Sequence, residues 1–299
     1  MDRKKIISYL GLIVVAIIWG SGFIATQMAI DAKMSSSLIM ASRFIVAAVT
    51  LLVIYFKKLK DFKKHELVCG VIAGAFLFLA FFSQTIGLRH TTPANNAFIT
   101  AINVVIVPFL SWALMKKRPS VKVFVCAALS LVGIAILNYT LDAGIHFNVG
   151  DLLTLLCAFL FACHIAYLGY GAKRVDAVKL TFLQMATAAV LSIAALLIFD
   201  IQSLTTAAYS QGILPVLYLG LFSTCVAFLI QTKVQGMISA SKTAIILSME
   251  AVFGSLFSVL LGYDQLTVNL VIGGLIVVGS IIMLEGITNT KDRRLTDGQ

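Results

Sequence analysis

Three ionisable side chains lie inside long apolar stretches of the sequence, namely Arg43, His164 and Glu250. An isolated charge in hydrocarbon is costly, so such a residue normally faces a partner, water or a bound substrate. We predict that Glu250 binds a substrate ammonium group or couples a proton, and that His164 at a similar depth tunes it. The alternatives are a hydrogen-bonded structural carboxylate and a packing histidine. Arg43 is a candidate coupling or structural charge, and helix bracing is the role we favour for it.

Uncharged polar and aromatic residues in the same stretches extend the set of candidates for substrate binding. Asn96 and Asn103 are seven residues apart and share one face of a helix with Thr100. An amide in lipid is unfavourable unless it is paired, so this face is expected to point inward, for interhelical hydrogen bonding or for lining a hydrated cavity. The candidate substrate-binding residues are Trp19, Phe23, Gln84, Asn96, Thr100, Asn103, His164, Tyr167, Gln231 and Glu250.

The segment Trp19-Gly-Ser-Gly-Phe23 lies near the middle of the first apolar stretch. The two glycines weaken a helix and allow another backbone to approach closely. Two interpretations follow from this pattern. The segment is either a site of tight helix packing or a flexible point beside a cavity, with Trp19 as its gate or wall.

Transmembrane helices are the elements that must position these residues. The 299 residues are 60% apolar and only 12% charged, with a mean hydropathy of +1.00, whereas soluble domains carry about 25% charged residues. A helix needs about 20 apolar residues to cross the bilayer core. This length predicts an all-α integral membrane protein with ten spans, at Ile6–Ile30, Ser35–Phe56, Leu67–Leu88, Asn95–Met115, Val121–Asn138, Gly150–Gly171, Leu180–Phe199, Gly212–Gln231, Thr243–Gly262 and Val268–Gly286.

Basic residues are distributed unevenly over the predicted connections. With the N-terminus in the cytoplasm, 20 of the 23 Lys and Arg residues fall on the cytoplasmic side, and only Lys33 and Arg89 fall outside. This positive-inside bias predicts a multi-pass protein of the cytoplasmic membrane with both termini in the cytoplasm. The net charge of +10 is therefore assigned to orientation rather than to nucleic-acid binding.

The first five spans can be laid over the last five. Residues Ile102–Ser120 align without a gap with Met249–Thr267, and Ala127–Gly133 aligns with Gly273–Gly279. Because five is odd, the second copy enters the membrane from the opposite side. We predict two inverted-topology repeats, at residues 1–141 and 142–299, an architecture that lets two halves rock about a site near the midplane.

Five short segments, taken in order along the chain, match the pattern of a known family: Ile18–Phe23, Ser42–Phe44, Thr92–Ala97, Gly150–Ala162 and Gly273–Gly279. Through these segments, the chain resembles a ten-helix EamA-type member of the drug/metabolite transporter superfamily. The resemblance implies transport of a small polar metabolite, often amino-acid-like, and commonly export. The sequence departs from the family pattern at Glu250-Ala251, where proline is frequent, and at Tyr263-Asp264, where Gly-Glu is frequent.

The sequence lacks the motifs that competing function classes require. No HExxH, Walker A or GxSxG pattern is present, so we predict neither a membrane enzyme nor an ATP-driven pump. An inverted repeat with single buried charges favours an alternating-access carrier over a channel. Import or facilitated passage of an amine, a vitamin or a related metabolite is the alternative to export.

The expected partners are a small-molecule substrate, the lipid bilayer and a proton as candidate coupling ion. The chain is expected to act as a monomer. Its five cysteines lie inside spans and form no CxxC pair, a pattern that predicts neither a metal site nor a cofactor.

Overall fold

The computed structural model describes residues 3–88, 90–91, 93–138, 148–262 and 265–286, and the regular elements in this part of the chain are helical. The predicted all-α membrane fold of ten helices is confirmed. The ten helices are α1 (Arg3–Asp31), α2 (Ser36–Tyr55), α3 (Lys64–Leu88), α4 (Pro93–Ala101 and Asn103–Met115), α5 (Val121–Leu137), α6 (Val149–Gly171), α7 (Ala177–Phe199), α8 (Tyr209–Gln235), α9 (Ala240–Leu247 and Met249–Leu260) and α10 (Val268–Gly286).

Eight of these helices are long and apolar enough to cross a membrane, whereas α5 and α10 are shorter apolar helices. Polar capping residues define several of the ends. The Ser35 side chain accepts a hydrogen bond from the Leu38 N–H at the start of α2. A reciprocal capping box between Asn148 and Asp151 begins α6. These bonds satisfy backbone N–H groups that have no partner within the helix.

The predicted span boundaries miss two local features. A four-residue helix, Ser203–Thr206, lies between α7 and α8. The helices α4 and α9 are each interrupted at a single residue, Ile102 and Ser248. Apolar length does not reveal such interruptions, because the hydrophobic pattern continues across them. In the repeat alignment the two interruptions differ by only one position.

The two repeats pack into each other rather than side by side. Helix α3 packs against α6 and α7, and its counterpart α8 packs against α1 and α2. The equivalent helices α2 and α7 pack together, as do α5 and α10. Each kind of contact in one repeat therefore recurs in the other, as a two-fold relation between the halves requires.

The α5–α10 contact depends on two glycines. A Cβ atom added at Gly273 would lie 2.5 Å from the carbonyl oxygen of Gly133, so the two backbones touch directly. One turn away, the hydroxyls of Ser130 and Ser280 form a hydrogen bond of 2.6 Å. Small residues that allow close approach, with a hydroxyl bond between helices, are typical of packing in membranes.

The helix ends define two faces of the molecule. We call the face that carries the connections 56–63, 116–120, 172–176 and 236–239 the basic face, because most of the lysines and arginines lie on or beside it. The other is called the opposite face. On the predicted orientation, the basic face is the cytoplasmic one.

Candidate functional site

The interruption in α9 divides the helix into two environments. The segment Ala240–Leu247 is packed in the interior, with seven of its eight residues buried. The following segment, Met249–Leu260, has no buried residue. At the junction, the Ser248 hydroxyl donates a hydrogen bond of 2.7 Å to the carbonyl oxygen of Ile245. Glu250 is therefore the second residue of a half-helix that is only partly covered.

Glu250 is half-buried, and its carboxylate has no hydrogen-bond partner or ion pair among the described residues. By contrast, Glu66 near the basic face is paired with Lys179, at 3.0 Å. A carboxylate without an internal partner at this depth requires water, a proton or a cationic ligand. This is the chemistry by which an ammonium group is bound.

Asn103 occupies the position in α4 that aligns with Glu250. It follows the Ile102 interruption, it is half-buried, and its Nδ2 donates a hydrogen bond of 2.8 Å to the carbonyl oxygen of Thr100. The two repeats thus place an amide and a carboxylate at equivalent points. Only the second repeat provides a negative charge there.

The glycine-containing segment of α1 packs against the same half-helix of α9. A Cβ atom at Gly20 would lie 2.7 Å from the backbone nitrogen of Gly254, so close packing explains this glycine. A Cβ atom at Gly254 would lie 3.1 Å from the ring of Phe23. Phe23 is 49% exposed, and its neighbour Gly254 is one turn beyond Glu250.

A hydrogen-bonded group joins α3, α4 and α6. Asn96 Nδ2 donates to Thr154 Oγ1 at 2.9 Å and to the carbonyl oxygen of Gln84 at 3.2 Å. Gln84 Nε2 donates to Thr100 Oγ1 at 3.2 Å. Of the two roles considered for this helix face, the structure shows interhelical hydrogen bonding. Thr154 was not among the predicted residues, because a single threonine in an apolar helix forms no pattern.

The side chains of Arg43 and Trp19 both form hydrogen bonds with the same segment of α8. Arg43 Nε donates to Thr224 Oγ1 at 2.9 Å, and its Nη2 donates to Ser223 Oγ at 3.2 Å. Its guanidinium lies 4.8 Å from the ring centroid of Phe81. Trp19 Nε1 donates to the carbonyl oxygen of Ser223 at 2.8 Å. These bonds tie α1 and α2 to α8.

The backbone of α8 explains why Ser223 can accept the Trp19 bond. Residues Leu219–Val226 form a π-helical segment. The Ala227 N–H donates to the carbonyl oxygens of Phe222 and Thr224, and so bypasses that of Ser223. In an α-helix, the Ser223 carbonyl would be the acceptor for that N–H. Segments of this kind occur frequently at functional sites.

His164 belongs to a third group, which lies between α6, α7 and α8. Its Nε2 forms a hydrogen bond of 2.9 Å with Gln184 Oε1. Gln184 Nε2 donates to Thr232 Oγ1 at 3.3 Å. Next to Thr232, the fully buried Gln231 amide has no hydrogen-bond partner in the described part of the chain. Tyr167 lies one turn beyond His164, and its ring centroid is 6.2 Å from that of Phe76.

The structure thus distributes the predicted residues over several helix contacts. It brings Gln84, Asn96 and Thr100 together, and it brings Trp19 together with Arg43. No hydrogen bond among the described residues joins His164 or Arg43 to Glu250. A tuning effect of His164 on Glu250 therefore has no direct contact to support it.

Arg43→Lys should lower the free energy of unfolding by about 1–2 kcal/mol. The lysine ammonium keeps the charge, but it lacks the planar fork that reaches two hydroxyls and stacks on Phe81. Thermal unfolding of the purified protein measures this effect. Arg174→Lys is the control, because Arg174 is exposed and its contacts, to the carbonyl and the ring of Tyr170, stay within one helix region and join no second helix. Equal effects of the two substitutions would contradict the bracing role.

The chain is similar to known proteins over nearly its whole length. A model described as the EamA-like transporter family matches residues 6–139 and 148–285. An "Uncharacterized transporter" of Archaeoglobus fulgidus is 33% identical over 284 residues, which are 94% of this chain and 86% of the relative. "Uncharacterized transporter YoaV" of Bacillus subtilis is 26% identical over 283 residues, with 92% of this chain and 95% of the relative covered.

A solved structure described as "Crystal structure of protein" has the same fold. The TM-score is 0.81, and the match covers 96% of this chain and 98% of that chain. The sequence identity is 18%, so this likeness concerns the fold alone.

Proposed function

Because the chain belongs to the EamA-like transporter family of the drug/metabolite transporter superfamily, we propose that it is a secondary carrier that moves a small polar metabolite by alternating access. Glu250 binds the cationic group of the substrate or carries the coupling proton. The observation that carries this proposal is the carboxylate of Glu250, which is half-buried and has no internal partner among the described residues.

Support for alternating access comes from an asymmetry between the two faces. Toward the basic face, the α4 segment Asn103–Met115 packs against the α9 segment Ala240–Leu247. Toward the opposite face, Pro93–Ala101 and Met249–Leu260 make no comparable contact within the described residues. We infer that this conformation is closed at the basic face and open at the opposite face.

The repeat alignment predicts the second conformation. Val104 of α4 and Ala244 of α9 belong to one buried cluster, to which α5, α6 and α10 also contribute. Their counterparts in the other repeat are Ala251 and Ala97, which are both half-buried. If the repeats exchange conformations, Ala97 and Ala251 come together as the α4 and α9 segments that carry Val104 and Ala244 separate. Both counterparts are alanines, so their side chains leave room for close packing.

The residues around Glu250 favour an amino-acid-like substrate. A carboxylate pairs with an ammonium group. The exposed ring of Phe23, which belongs to α1, packs against Gly254, one turn beyond Glu250 on α9. We propose export as the direction, from the family resemblance and the predicted orientation.

The experiment that tests this proposal starts from the purified protein. Amino acids, amines and vitamins are screened for a shift in the thermal unfolding temperature, since a ligand that binds the folded state stabilises it. A hit is then assayed in proteoliposomes for saturable counterflow of labelled substrate, with and without a proton gradient. Transport that does not saturate and shows no counterflow would support a channel instead.

A further inference from the structure

A cavity lies at the basic face, and Glu250 is not among the residues that line it. Its volume is about 280 Å³, and it is lined by the end of α4, the start of α5, the end of α6 and the start of α9. Four cationic side chains line it, and none of the lining residues is acidic. These cations are Lys117, Arg118, Lys173 and Lys242.

Two serines with little exposed surface also line this cavity. Ser241 is 2% exposed and Ser111 is 9% exposed. Neither hydroxyl has a hydrogen-bond partner among the described residues. Each hydroxyl can therefore donate to a ligand in the cavity that accepts hydrogen bonds.

Two helices begin at the same cavity. Helix α5 starts after Ser120, whose side chain makes no capping bond, and helix α9 starts after Ser239. The first N–H groups of a helix have no partner within it and carry a partial positive charge. Side-chain cations, unpaired hydroxyls and backbone N–H groups therefore converge, and each of these groups stabilises an oxyanion.

We propose that this cavity binds a phosphate group, either that of an anionic phospholipid or that of a free phosphorylated solute. Phosphate accepts several charge-assisted hydrogen bonds at once, and cationic side chains are the strongest donors of such bonds. A bound phosphate group would link the segment between α4 and α5 to the start of α9. The binding does not depend on the transport cycle proposed above.

The test uses the full-length protein in neutral detergent and inorganic phosphate as the probe. Phosphate is titrated at constant ionic strength, with chloride as the replacement, and the thermal unfolding temperature is followed. We expect a saturable rise. Lys117→Gln combined with Lys242→Gln should weaken the apparent affinity by about tenfold or more, because two charge-assisted contacts are lost.

Lys57→Gln combined with Lys58→Gln is the matched control. It removes two charges from the same face, and neither residue lines the cavity. This control should keep the native affinity. Ser241→Ala retains every charge, so a weaker affinity in this variant shows local coordination rather than general attraction to a basic surface.

A second arm distinguishes the two sources of the phosphate group. The same variants are placed in nanodiscs of phosphatidylcholine, with or without phosphatidylglycerol. If phosphatidylglycerol stabilises the native protein and the control variant but not the cavity variant, the site binds a lipid headgroup. A response to inorganic phosphate alone assigns it to a free solute. Equal responses of the cavity variant and the control, or no response to either probe, would overturn the proposal.

Discussion

Glu250→Gln is expected to reduce transport by a factor of about 10 to 100, which corresponds to the loss of one charged hydrogen bond. The substitution preserves the size and shape of the side chain and removes only its charge. Because the native carboxylate has no partner among the described residues, the free energy of unfolding should change by less than about 1 kcal/mol. The measurement is initial-rate transport in proteoliposomes, beside thermal unfolding of the same preparation.

Asp31→Asn is the control for this experiment. Asp31 is an exposed carboxylate at the end of α1 that accepts a hydrogen bond from Gln27, and its neutralisation should leave transport near the native rate. A further readout separates the two roles of Glu250. If it couples a proton, Glu250→Gln also removes the dependence of the rate on pH. Native transport by Glu250→Gln, with an unchanged pH profile, would exclude both roles.

Gly273→Ala is expected to destabilise the protein by about 3 kcal/mol. The added methyl group would lie 2.5 Å from the Gly133 carbonyl oxygen and 2.6 Å from the Leu137 backbone nitrogen. Backbone atoms cannot move aside as the end of a side chain can, so α5 and α10 must separate. Thermal unfolding of the purified protein measures the loss.

Gly279→Ala, in the same helix, is the matched control for that substitution. No atom lies within 4 Å of the position that its Cβ would occupy. Alanine is the better helix former, so this variant should be more stable by up to about 1 kcal/mol. Equal destabilisation by both alanines would show that the α5–α10 contact does not depend on the Gly133–Gly273 approach.

The helices were predictable because a span is set by apolar length, and that signal is strong in a chain with so few charges. The repeat was predictable from span order. The interruptions at Ile102 and Ser248 and the π-helical segment of α8 were not, since hydrogen-bond register within a helix depends on tertiary contacts rather than on hydrophobicity. Once one interruption is known, the repeat alignment places the other within one position of it.

The hydrogen-bond partners of the candidate residues were harder to predict than the candidate residues themselves. Arg43 was recognised as an intramembrane charge, but its partners are the hydroxyls of Ser223 and Thr224. Such residues are common in apolar helices, where they also bond to their own backbone, so the sequence does not distinguish them. Depth counting placed His164 near the level of Glu250, yet its hydrogen bond goes to Gln184. Depth does not specify which side of a helix a residue occupies.

Two cysteine pairs test the central claim of alternating access most directly. In a background without the five native cysteines, one variant combines Val104→Cys with Ala244→Cys, and the other combines Ala97→Cys with Ala251→Cys. We expect each pair to cross-link under oxidation, as identified by mass spectrometry of the joined peptides. Either cross-link should stop transport in proteoliposomes, and a reductant should restore it. Failure of the Ala97–Ala251 pair to cross-link, or native transport while either pair is joined, would contradict the account.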